Sequence, residues 1–291
     1  MKTNPTTAAL AAALITSASV SFAESSYSYY TVSYFQFSDD IISQNLLFLG
    51  ASREYDFSTG FAYGDLTLIR ASGDIDDDVF GHANVGAAYR INPNVAIGAE
   101  LGVSFDDTGD TQTDYALFGQ YEGDMARAAL VIFGSPDYGS NHFGSLLSEF
   151  TVSENMTLFA GANFSSTSGV NWIQFGGSYE TGAYRISGGH GFDPNSADGY
   201  SNTNMLVGYD VSDDLNVALG YTRVGSDFYQ NDHYSLTGTY EIKEGVNLEA
   251  FYSHATSGPI DMNSIGISIS FERGNSAIVY REIMNSFNDN F

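Results

Sequence analysis

The stretch Val95-Ala-Ile-Gly-Ala-Glu-Leu-Gly-Val-Ser-Phe105 alternates without a break. Val95, Ile97, Ala99, Leu101, Val103 and Phe105 fall on one side, and Ala96, Gly98, Glu100, Gly102 and Ser104 on the other. Successive side chains of a strand point to opposite faces, so this segment is a strand with one apolar and one small or polar face. The pattern recurs downstream, with Ile265, Ile267, Ile269 and Phe271 opposing Ser264, Gly266, Ser268 and Ser270. It recurs again where Tyr234, Leu236, Gly238, Tyr240 and Ile242 oppose Ser235, Thr237, Thr239 and Glu241.

Between these segments, short and longer connections take turns. Asn92-Pro93-Asn94, Gly123-Asp124, Ser153-Glu154-Asn155, Thr181-Gly182, Ser212-Asp213-Asp214, Lys243-Glu244-Gly245 and Arg273-Gly274-Asn275 carry the residues of tight turns. The longer connections read as 74–78, 106–110, 135–141, 193–202, 225–232 and 257–261. Short turns on one rim and longer loops on the other describe an all-β, antiparallel, up-and-down transmembrane β-barrel. Seventeen segments qualify as strands, the last being Ser276-Ala-Ile-Val-Tyr-Arg-Glu-Ile-Met284, which alternates poorly. Bacterial single-chain barrels carry even numbers, so the expected count is sixteen. A soluble β-sandwich also alternates, but here the pattern runs on without a domain break. The less apolar face is rich in Gly, Ser, Thr and Asn rather than Lys and Glu, as suits a water-filled lumen.

The first residues have a different logic. Lys2 precedes an apolar run from Ala8 to Ile15 and a small-x-small ending at Ser21-Phe22-Ala23. These are the parts of a secretory signal peptide, expected to occupy residues 1–23 and to leave 24–291 as the barrel. The run is too short for a membrane-spanning helix. Without Lys2 the chain has nine Lys and Arg against 35 Asp and Glu, a net −26. Nucleic acid, which is bound through basic contacts, is excluded as a partner. The 20 Tyr and 21 Phe argue against disorder despite the charge. There is no Cys, so no disulfide supports the fold.

Three strand–turn–strand units resemble those of the Gram-negative general porins, particularly the alphaproteobacterial type. They are Val85-Gly-Ala-Ala-Tyr-Arg-Ile-Asn-Pro-Asn-Val-Ala-Ile-Gly-Ala-Glu100, Leu206-Val-Gly-Tyr-Asp-Val-Ser-Asp-Asp-Leu-Asn-Val-Ala-Leu-Gly-Tyr221 and Leu236-Thr-Gly-Thr-Tyr-Glu-Ile-Lys-Glu-Gly-Val-Asn-Leu-Glu-Ala250. Phe291 is similar to the terminal aromatic read by barrel-assembly machinery. The resemblance implies an outer-membrane location, contact with membrane lipid and lipopolysaccharide, a homotrimer, and passive passage of small hydrophilic solutes and ions without a cofactor. Two departures stand out. General porins fold a long loop into the lumen after the fifth strand, and residues 106–112 are too few for that. Asp289 also stands where those porins carry a second aromatic.

Parity assigns charges to the lumen. Arg90 shares a face with His82, Asn84, Gly86 and Ala88, while Arg127 and Arg185 oppose apolar neighbours. An Arg facing lipid at the midplane costs about 2–4 kcal/mol, which favours the inward orientation. Glu100, Glu241 and Glu249 read as inward too. These six either filter solutes electrostatically or brace the wall by pairing. Asp74, Asp76, Asp77, Asp78, Asp106, Asp107 and Asp110 form an acidic vestibule that concentrates cations. The first group lacks the Gly and closing Glu of an EF-hand, so a solvated loop rather than a metal site is expected.

Catalysis lacks a constellation. His233, Ser235 and Asn247 repeat the spacing of an outer-membrane phospholipase. The hairpin puts Ser235 and Asn247 about six rungs apart, near 20 Å, where a triad needs contact. The expected function is a cation-preferring channel. The alternative is a non-conducting barrel used as an anchor or adhesin, with inward aromatics such as Phe159 and Trp172 filling the lumen.

Overall fold

The computed structural model describes residues 27–38, 43–74, 77–136, 141–226, 229–257 and 260–288. The expected signal peptide, Asp76, Asp289 and Phe291 lie outside them. Sixteen strands follow one another: β1 (Tyr27–Ser38), β2 (Ser43–Phe57), β3 (Gly60–Gly73), β4 (Asp78–Asn92), β5 (Val95–Asp106), β6 (Thr111–Glu122), β7 (Ala126–Gly134) and β8 (His142–Ser153) form one half. The other half is β9 (Met156–Ser165), β10 (Gly169–Thr181), β11 (Tyr184–Phe192), β12 (Ser201–Ser212), β13 (Leu215–Ser226), β14 (Tyr229–Lys243), β15 (Val246–Ser257) and β16 (Ile260–Gly274). Each strand pairs antiparallel with its neighbours in sequence, and β1 closes on β16 from Tyr27 opposite Gly274 to Ser38 opposite Asn263. Closure leaves no edge strand, the condition for crossing a bilayer with strands. At a strand spacing of about 4.8 Å and a tilt of about 40°, sixteen strands enclose a ring roughly 32 Å across.

The alternation of the sequence becomes the two faces of the wall. Leu101, Tyr89, Leu219 and Ile265 are 57–66 % exposed on the outer face. In water such a surface would be untenable, and it matches the apolar band that a barrel presents to lipid. Inside, glycines seat rings from the neighbouring strand. A Cβ on Gly86 would lie 2.2 Å from the Tyr63 ring, on Gly98 2.3 Å from Phe118, and on Gly176 2.4 Å from Phe159. These aromatics lie flat along the inner wall because the residue beside each has no side chain.

Two expectations need correction. Residues 225–232 are mostly strand, because Arg223 and Asp232 stand opposite each other and pair at 2.8 Å. Tyr221 also donates to Asp232 at 2.7 Å, so an acidic residue that reads as loop seals a ladder. Likewise β15 runs to Ser257 and β16 starts at Ile260, so Ser257, Ile260 and Asp261 of the supposed loop 257–261 belong to strands.

The segment that alternated poorly is not a strand. It forms a helix, α1 (Val279–Asn288). Val279 and Ile283 are four residues apart, the spacing that puts both on one helical face.

Candidate functional site

Helix α1 lies inside the barrel. It packs on β6, β7 and β8, and residues 276–282 bond to side chains of β2, β3, β5, β6 and β7. A ten-residue helix is about 15 Å long and can reach so many strands only from their concave side.

Its root is held by the wall. Glu54 of β2, 1 % exposed, accepts hydrogen bonds from Ser276 Oγ at 2.6 Å and the Ala277 amide at 2.7 Å. Ser276 Oγ in turn accepts from the Ile278 amide at 3.1 Å. Gln120 of β6 donates to the Ala277 carbonyl at 2.7 Å and accepts from the Val279 amide at 3.1 Å. The first amide groups of a helix have no partner within it, and a carboxylate beside them also meets the positive end of the helix dipole. Here strand side chains cap the helix.

Beyond the root, apolar residues interlock. Ile278 joins Phe61, Tyr63, Ala96, Ala116, Phe118 and Val131 in one cluster. Val279 and Ile283 join Leu147 and Phe159 in another. Ile278, Val279 and Ile283 are at most 1 % exposed, and burying each contributes roughly 1.5–3 kcal/mol.

Two ionic clusters complete the dock. On one oxygen of Glu100 converge Tyr63 Oη at 2.8 Å, Tyr280 Oη at 2.9 Å and Arg281 Nη2 at 3.0 Å, while Asn84 donates to the other at 3.2 Å. Arg281 also pairs with Asp65 and lies 4.4 Å from the Tyr63 ring centre. Burial pushes the Tyr280 phenol up to about 12, so it remains a donor. In the second cluster, Arg127 grips Glu149 through Nε at 3.0 Å and Nη2 at 2.7 Å, and reaches Glu282 of α1 with Nη1.

The six expected lumen charges share the inner face by register, but they do different things. Glu100 and Arg127 are bound up with α1. Arg90 closes the β2–β3 turn, donating to Asp56 at 2.6 Å, the Phe57 carbonyl at 2.7 Å and the Gly60 carbonyl at 3.2 Å. Arg185 pairs with Glu180 at 2.6 Å across the β10–β11 turn. Glu241 accepts from the Gly245 amide at 3.0 Å in the β14–β15 turn. Glu249 stands between Thr239 and Ser268. The three arginines therefore sit near the short-turn ends of their strands, where lipid at the midplane is no constraint. Their partners, rather than the cost of facing the bilayer centre, hold them inward.

Of the acidic loop residues, Asp74 accepts from the Ser43 amide at 2.9 Å and Asp106 from Thr108 and Asp110 amides at 3.0 and 3.1 Å. Asp106 folds its own loop, whereas Asp74 ties the end of β3 to the start of β2. Asp77 and Asp78 lead into β4, and Asp107 and Asp110 are exposed. No cluster of three metal-ligating side chains occurs among the described residues. The register sets Ser235 opposite Ser253 and Asn247 opposite Glu241, which keeps them apart as a triad.

The sequence reading missed the lumen residues from 276 onward: Ser276, Ile278, Val279, Tyr280, Arg281 and Glu282. A signal was present in the inner face itself. Phe61, Phe118, Val131, Leu147 and Phe159 make an apolar stripe on strands whose inner face should be wet, and a stripe of that kind needs a cover.

No protein-family model matches the sequence, and no curated protein matches it. Solved structures do. A Rhodopseudomonas blastica porin mutant superposes with a TM-score of 0.59 at 11 % identity, over 86 % of this chain and all of that one. Pseudomonas aeruginosa OpdQ gives 0.57 at 8 %, over 87 % of this chain and 99 % of that one. The outer membrane protein OpdK of the same species gives 0.55 at 10 %, over 85 % and 98 %. The fold is a porin fold. At these identities the likeness is one of fold, and function rests on the geometry of this chain.

Proposed function

We propose that this protein is an outer-membrane porin, a passive channel for small hydrophilic solutes and ions. The observation that carries the reading is a closed barrel whose outer face is apolar and whose inner face, opposite α1, is lined by hydroxyl, amide and glycine groups. Ser187, Asn204, Thr222, Ser235, Thr237 and Ser268 share that inner face by register. The path runs beside α1, which supplies the constriction that residues 106–112 are too short to make. A helix about 10 Å wide fills a large part of a lumen that side chains narrow to roughly 20 Å. Arg90, Glu100, Arg127, Arg185, Glu241 and Glu249 border the path, and the Asp-rich loops form its acidic mouth. The longer loops face outward and the short turns face the periplasm. Lipid and lipopolysaccharide surround the wall.

Purified protein added to a planar bilayer should give discrete, long-lived current steps. Silence under conditions where the protein has inserted would favour the second reading, a non-conducting anchor or adhesin. The observation on its side is α1 itself, seated against aromatics that include Phe159.

Residues 1–23 are read as an export signal. Intact-mass measurement on protein from outer-membrane fractions should give a chain that begins at Glu24. Retention of residues 1–23 would remove this part of the reading.

A further inference from the structure

We propose that α1 is a releasable plug and that the inner wall from β2 to β8 is a receptor built to hold it. The inference rests on the channel reading above. Several wall groups that grip α1 are already paired with one another. Arg127 holds Glu149 by two hydrogen bonds, and Glu100 holds Tyr63 and Asn84. Removing α1 therefore leaves Arg127 and Glu100 with partners on the wall, while Glu54 and Asp65 give up the contacts they make to residues 276–281. Glycines at 86 and 98 seat the Tyr63 and Phe118 rings independently of the helix. What α1 adds is the apolar cover of Ile278, Val279 and Ile283, together with Arg281 and Glu282, each set against opposite charge.

The attachment suits movement. Gly274 has φ +86, a left-handed conformation that lets the chain leave β16 and turn into the lumen. Only Asn275 to Ile278 separate the last strand from the helix, and their grip is concentrated on Glu54 and Gln120. The plug enters from the short-turn rim, so its release is governed from that side. Release widens the path along the whole length of α1.

The test uses the natural absence of Cys. In full-length protein, Glu54→Ala should produce upward current steps of about twofold from the basal level, as a helix-sized obstruction leaves. With Leu147→Cys and Ile283→Cys added, oxidation should abolish those steps and reductant should restore them. A second form ends the chain at Gly274. It should sit steadily at the higher level, and a synthetic peptide of residues 275–288 should return it to the basal level from one side of the bilayer only. A scrambled peptide should do nothing. Equal current in the wild-type and shortened chains, or the same record with and without the disulfide, would make α1 a fixed brace and overturn the proposal. Should the shortened chain not fold, the disulfide comparison decides alone. If no form conducts, including the shortened one, the channel reading itself fails. If the wild type conducts and the variants match it, only the plug fails.

Discussion

Arg127→Ala should expel α1 from the lumen. Its guanidinium stands between two carboxylates, Glu149 on β8 and Glu282 on α1, with Glu122 opposite it on β6. Once it is gone, docking α1 brings Glu282 against Glu149, which is only 8 % exposed. Breaking a buried ion pair by removing one partner costs about 3–5 kcal/mol. That is comparable with what two of the three buried aliphatic side chains of the helix contribute. Limited proteolysis of the detergent-solubilised protein gives the readout. The wild-type chain should resist cleavage between 275 and 288, whereas Arg127→Ala should be cut there and keep an intact barrel. Adding Glu282→Gln removes the repulsion and should recover most of the protection. Arg127→Lys should fall between, since an ammonium keeps the charge but not the fork that spans both carboxylates. Protection unchanged in Arg127→Ala would show that the apolar contacts alone hold the helix.

In dilute salt the channel should prefer K⁺ over Cl⁻ by about threefold or more, the scale on which a charged mouth enriches counter-ions. The net charge of −26 is one reason. The pairing of the arginines is the stronger one. Arg90, Arg127, Arg185 and Arg281 each have a carboxylate in contact, so none acts on a passing ion as an isolated positive charge. Number then decides in favour of the acids. Reversal potentials across a KCl gradient should show the preference near 0.1 M, where screening acts over about 10 Å, and should show it shrinking in molar salt. Changing Asp74, Asp77 and Asp78 together to Asn should weaken it. Anion preference in dilute salt would mean that the arginine pairs open during permeation.

The wall was legible from residues alone because a strand displays its environment every second position. Val95 to Phe105 states which face meets lipid, and β5 carries that assignment unchanged. The helix was not legible in the same way. Ala277 to Tyr280 is a run of four residues with apolar character, too short to show a period, and only Ile283 completes a helical face. What gives such a run its structure is the apolar stripe on strands about 120 to 220 residues earlier, a non-local cause. The glycines of the inner face were ambiguous for a related reason. Gly86 and Gly98 read as room for solute, yet each makes room for a ring of the adjacent strand. The charges were ambiguous as well. Arg90 and Arg185 bind turn groups at a rim, where residue spacing alone does not distinguish a filter from a brace.

The position of α1 also orders the assembly of the molecule in time. Its root leaves β16, while its seat extends from β2 to β8. The root is held by Glu54 of β2, and β16 and β2 lie fourteen strands apart in an open sheet, about 67 Å, but only two apart in the sealed ring, about 10 Å. The short link after Gly274 spans only about 10–14 Å. Root and seat meet only after β1 and β16 have zipped together. The free energy of docking is therefore available to the sealed ring and withheld from every unsealed intermediate. An occupied lumen is thus a record that closure has happened, and the same contacts that narrow the passage oppose reopening of the seam.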